Sequence, residues 1–200
     1  MNYSKDFLKY CIEVINQLNI DQIEKLVNEL NMIRLNEGRL FIIGSGGGAG
    51  HASHAVCDFR KLCGIEAYAP YDNISELTAR VNDEGWEFSI LNWLKTSKLK
   101  YNDGLLVFSV GGGNIEKNIS KNISNALFYA KEVKAKIFGI VGKDGGDTLK
   151  LGDAVVLIPT VNQNKITPIT EGFQALIWHL LVSHPKLQIN STKWESTLTI

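Results

Sequence analysis

His51, His54 and Asp58 are spaced i, i+3 and i+7, so a helix over this stretch lines two imidazoles and a carboxylate along one face. Groups of these types exchange protons, hold cations, or serve only as hydrogen-bonding groups on an exposed first turn. Directly before them runs Gly44-Ser45-Gly46-Gly47-Gly48-Ala49-Gly50. Of the 18 glycines, five fall in residues 44–50, three are Gly111, Gly112 and Gly113, and three are Gly142, Gly145 and Gly146. Glycine backbones at strand ends let amides approach an anion with no side chain in the way, so anion binding is the chemistry these loops suggest. The first loop also fits a Gly-x-Gly-x-x-Ala/Gly pattern, with Glu66 as the nearest candidate for the acidic residue of a dinucleotide site. No Gly-Lys-Ser/Thr follows, which excludes a P-loop, and no nucleotide cofactor is expected.

The elements that must position these groups are legible in the hydrophobic pattern. Leu40–Ile43, Leu105–Phe108, Ile137–Val141 and Ala154–Ile158 are short apolar runs that end at or near a glycine loop or Pro159, as buried parallel strands do. A weaker strand is expected near Ile65–Tyr68. Helices are expected over Ala49–Leu62, Asn114–Val133 and Thr170–Val182. The alternation predicts an α/β chain, a three-layer αβα sandwich with a parallel sheet and ligands at the strands' carboxyl ends. Phe7 to Ile33 carries apolar residues at helical spacing and reads as two amphipathic helices ending at Gly38. Residues 1–200 thus form a single domain, with 1–37 a helical unit that packs on the domain or on another subunit.

Composition narrows the class. The 21 Lys and Arg balance the 21 Asp and Glu, so the charge surplus that drives binding to nucleic acid or anionic lipid is lacking. There is no run of 18 apolar residues and no signal-peptide core at the N-terminus, so a cytoplasmic protein without a membrane partner is expected. Cys11, Cys57 and Cys63 fit neither a zinc ribbon nor a redox pair and are expected as free thiols.

In motif order the chain resembles the sugar isomerase (SIS) domain family, and its phosphoheptose isomerase branch in particular. The resemblance rests on the first glycine loop with His54 and Asp58, and on Leu77-Thr78-Ala79-x-x-Asn82-Asp83-x-Gly85-Trp86. It continues through the loop after Phe108-Ser109, through Gly142-Lys143-Asp144-Gly145-Gly146, and through Glu171 followed eight residues later by His179. It implies a five-stranded parallel sheet, an N-terminal helical unit used in tetramer assembly, sites at subunit interfaces and, in some members, zinc. Carried over residue by residue, it gives Asp58 and His179 as the proton-transfer pair. A substrate set follows of Ser45, Gly46, Gly47, Gly48, Asn82, Asp83, Ser109, Gly111, Gly112, Gly113, Asn114 and Glu171. His54, Asp58, Glu171 and His179 form a candidate zinc set.

The family usually has Glu at position 58, Gln at position 171, and serines where this chain has Gly48 and the Gly111–Gly113 run. The implied function is aldose–ketose isomerisation of a phosphosugar such as sedoheptulose 7-phosphate, through an enediol, toward heptose precursors of lipopolysaccharide or capsule. The alternative is a non-catalytic SIS-domain regulator that binds a phosphosugar or a protein. A homotetramer is expected in either case.

Overall fold

The computed structural model describes residues 2–193. Five runs pair as parallel strands: β1 (Leu40–Gly44), β2 (Ala67–Tyr68), β3 (Gly104–Ser109), β4 (Lys136–Val141) and β5 (Ala154–Leu157), in the order β2-β1-β3-β4-β5. Alternation with a period of two sends Leu40, Ile42, Leu106 and Phe108 to one core and Phe41, Ile43, Leu105 and Val107 to the other. Both sheet faces are covered, which is why the strands read as unbroken apolar runs.

The first core is closed by α2 (Ile20–Leu35), α3 (Gly47–Cys63) and α8 (Ile166–Ser183), and the second by α5 (Trp86–Thr96) and α6 (Lys121–Glu132). The chain is an α/β three-layer sandwich, as the strand pattern predicts. Of the N-terminal helical unit, α2 buries Ile23, Leu26, Val27, Leu30 and Ile33 in the first core, so it is a layer of the sandwich. The preceding helix, α1 (Tyr3–Gln17), buries only Val14 and leaves Leu8, Ile12 and Ile15 exposed.

Three helices are not anticipated by the pattern: α4 (Ile74–Glu84), α5, and α7 (Gly146–Leu151). One predicted helix is shorter than expected. Residues from Asn114 do not continue into α6, because Asn114 and Ile119 form a bridge and Asn118 and Ser120 take positive φ of 56° and 47°. The second glycine loop therefore leads into an irregular segment, and α6 starts at Lys121.

The three cysteines are free, and burial pushes the Cys63 thiol up to about 11. Among the described residues no helix is long and apolar enough to cross a membrane.

Candidate functional site

Helix α3 leaves the carboxyl end of β1 at Gly46, whose φ of +58° turns the chain into the helix without a side-chain cap. Gly48 lies where a Cβ would strike the Phe108 carbonyl, so only glycine lets α3 start this close to β3. Tyr71 holds the end of β1: its hydroxyl donates to the Gly44 carbonyl and accepts from the Gly44 amide at 3.0 Å. Burial keeps the Tyr71 phenol protonated: desolvation displaces its pKa upward, against the smaller downward pull of the hydrogen bond with the Gly44 backbone.

Helices α3 and α8 lie side by side in the same direction. Their contacts advance together from Gly47 and Glu171, through His51 and Gln174, to Asp58 and Trp178, and end at Cys63 and the Val182 carbonyl. Along this seam His54, Asp58 and His179 converge, with one ligand atom from each lying within 4.8 Å of the others. Asp58 Oδ2 is 3.6 Å from His54 Nε2 and 3.7 Å from His179 Nε2. The imidazoles are about half exposed, whereas the Asp58 side chain is 16% exposed, so the carboxylate forms the floor of the group and the histidines its walls.

Two further bonds order this cluster. His179 Nδ1 is 2.7 Å from the Ala175 carbonyl, which can only accept, so Nδ1 carries a proton and Nε2 is the nitrogen turned toward Asp58. Trp178 Nε1 donates to Asp58 Oδ2 at 3.2 Å from a nearly buried position, 2% exposed. Its indole contacts the rings of His51, His54 and His179, with centroids 5.0, 5.3 and 4.6 Å away. A carboxylate oxygen that faces two imidazole nitrogens makes a place for a cation or for a proton in transit.

Glu171 is not in this cluster. It lies about two helical turns before His179 on α8, and its carboxylate rests on the first glycine loop, where a Cβ on Gly47 would come within 2.5 to 2.7 Å of it. His51 is likewise turned aside: its Nδ1 is 3.1 Å from Gln174 Oε1, while the buried Gln174 Nε2 donates to the Ile140 carbonyl at 3.0 Å.

The glycine loops are partly spent on structure. Ser45 Oγ accepts from Asn122 Nδ2 at 3.0 Å, and the Gly48 amide returns to the Ser45 carbonyl. In the second loop Gly112 donates its amide to Ser109 Oγ at 3.0 Å, and its carbonyl accepts from the Thr148 amide and hydroxyl. The Gly113 carbonyl accepts from the Asp147 amide, and Asp147 Oδ2 accepts from the Ile115 amide and the Ser124 hydroxyl. The second and third glycine loops thus interlock, and Gly111 is the member with open space beside it. Asn114 is used within its own loop, accepting from the Lys117 amide.

Asn82 and Asp83 lie on α4, which buries none of its residues, and they bond each other at 2.7 Å. Among the described residues no hydrogen bond or ion pair joins them to the cluster.

Trp178, Gln174, Asn122 and Tyr71 are the residues that sequence reasoning passes over. Trp178 had one available signal, its place directly before His179 on a helix rich in apolar residues.

No family model matches the chain. A phosphoheptose isomerase of Helicobacter pylori is 28% identical over 182 residues, covering 88% of this chain and 87% of that protein. Among solved structures, a phosphoheptose isomerase from Francisella tularensis superposes with a TM-score of 0.74 at 21% identity, over 90% of this chain and 92% of the other. One from Neisseria gonorrhoeae gives 0.73 at 21% identity, over 90% and 97%. In sequence and fold together, the chain is a sugar isomerase (SIS) fold protein that resembles the phosphoheptose isomerases.

Proposed function

We propose that the chain is an aldose–ketose isomerase acting on a phosphosugar of the sedoheptulose 7-phosphate class, in keeping with its phosphoheptose isomerase relatives. The observation that carries this reading is the ordered meeting of His54, Asp58 and His179 on the α3–α8 seam. Isomerisation moves a proton between adjacent carbons and needs a base, an acid and stabilisation of a developing oxyanion. Asp58 takes the carbon-bound proton while His179, as imidazolium, gives its Nε2 proton to the neighbouring carbonyl oxygen, forming the enediol. Asp58 then returns its proton to the adjacent carbon, and His179 recovers one from the other hydroxyl, so both residues end as they began.

The alternative use of the same side chains is metal binding: two imidazoles and a carboxylate, with a carbonyl behind the His179 ring as the outer partner, suit zinc, and His54, Asp58 and His179 would hold it in place of carrying protons. When bound, it supplies positive charge to an oxygen that becomes anionic. The sugar phosphate lies in the crevice at the carboxyl ends of β1 and β3, near Ser45 to Gly48, Ser109 and Gly111. The protein works in the cytoplasm as a homotetramer, closed through α1.

The test is to follow the aldose by NMR after adding sedoheptulose 7-phosphate, with and without zinc. Asp58→Asn and His179→Ala should each lower turnover by roughly 10²- to 10⁴-fold while the fold persists. The double variant should lose little more, since residues acting as a unit are non-additive. A non-catalytic binding module has no turnover to lose, so wild-type protein without activity under both conditions would overturn the reading.

A further inference from the structure

We propose that Trp178 is a positioning residue for Asp58, holding one carboxylate oxygen between the two histidines and leaving the other free for substrate. The inference deepens the isomerase reading and rests on it for the reaction. The placement of the carboxylate stands on geometry alone.

Asp58 has a short side chain on α3, and its neighbour within that helix, His54 Nε2 at 3.6 Å, is beyond hydrogen-bond distance and does not fix the rotation of the carboxyl group. Trp178 supplies that constraint from α8. An indole N–H can only donate, so the oxygen it meets must accept. That oxygen is Oδ2, the same atom that lies 3.6 Å from His54 Nε2 and 3.7 Å from His179 Nε2. Three groups from two helices therefore converge on one oxygen, and among the described residues Oδ1 takes part in no hydrogen bond.

The donor is itself rigid. Trp178 is 2% exposed, and its indole packs on Phe108 at 5.8 Å and on His51 at 5.0 Å. His51 in turn is tied through Gln174 to the Ile140 carbonyl of β4. The carboxylate is thus referenced to the sheet through a chain of packed and hydrogen-bonded groups. A displacement of about 1 Å in a reacting group can cost on the order of 10²-fold in rate, so a fixed carboxylate matters most for an aspartate, which has little reach to spare.

The experiment uses the full chain with Trp178→Phe, which keeps the ring and removes the N–H, and with Asp58→Ala, which removes the acceptor. In the first readout, the indole N–H resonance of Trp178, assigned through its ring contacts, should shift in Asp58→Ala relative to wild type. An unmoved resonance would overturn the proposal, whatever the protein catalyses and whether or not Trp178→Phe folds. In the second, folded Trp178→Phe should lose roughly 10- to 100-fold in kcat on sedoheptulose 7-phosphate with KM changed less than about threefold, the range for a hydrogen bond to a charged group. A residue that only filled the core would lower the melting temperature and leave the kcat of the folded protein intact, and that result would also overturn the proposal. Inactive wild-type protein would defeat the isomerase reading while the resonance still decided the hydrogen bond.

Discussion

The two carboxylates on the α3–α8 seam do different work because they meet different neighbours. Asp58 is set among two imidazoles and an indole N–H, whereas Glu171 lies against Gly47 at the start of α3. Helix α3 has no acidic residue in its first turn and no side-chain cap at Gly46, so Glu171 brings the negative charge that its own sequence lacks. Glu171→Gln should therefore destabilise the protein by about 0.3–1 kcal/mol at low salt, a fall of roughly 1–4 °C in Tm. The deficit should shrink as salt screens the interaction. Thermal denaturation at two ionic strengths checks this, and an unchanged Tm at low salt would count against a capping role for the carboxylate. Of the cluster, His54 and Asp58 were legible from spacing within one helix, whereas the partnership with His179 spans 120 residues, and no periodicity encodes it. The resemblance puts Glu171 in one candidate zinc set with His179, but the two turns of α8 between them leave Glu171 at the glycine loop and outside the cluster.

At the scale of elements, the strands were legible because burial on both faces leaves continuous apolar runs, and the glycines marked where those runs stop. What the glycines do was less legible. Gly112 and Gly113 have φ of +71° and +77°, and a Cβ on Gly112 would meet the Gly145 carbonyl, so these residues fasten one loop to another as much as they offer amides to an anion. The start of α6 was misplaced because Ile115, Ile119 and Ile123 keep a helical spacing through a loop whose turns rest on Asn118 and Ser120 in left-handed conformations. Helix α4 is hidden for another reason: it buries no residue, so no apolar stripe facing a core announces it. A contrast between neighbours tests the interlock. Gly112→Ala combines backbone strain with a clash and should cost roughly 1–3 kcal/mol. Gly111→Ala, with open space around it, should stay within about 0.5 kcal/mol of wild type. Equal stabilities in denaturant titration would mean that the second and third loops are not held together in this way.

For the whole molecule, the question is what covers the apolar surface that the sandwich leaves outside. Helix α1 presents Leu8, Ile12 and Ile15 at helical spacing, exposed by 62, 58 and 52%, although the layer beneath it is already complete. Leu176 and Leu180, also exposed, flank the half-exposed His179 on α8, so an apolar rim adjoins the cluster itself. Symmetric self-association is the usual way to bury such surfaces in a chain with no net charge to oppose it. The expected state is a homotetramer at micromolar concentration, measured by light scattering coupled to size exclusion. Placing carboxylates in the α1 face, with Leu8→Glu and Ile12→Glu together, should reduce the assembly to smaller species while circular dichroism remains that of the wild type, because neither side chain belongs to the buried core. If assembly also completes the site around His179, turnover should fall with the mass of the particle and not with its helicity. A wild-type monomer, or a double variant with unchanged mass, would show that α1 is not the surface on which the protein closes.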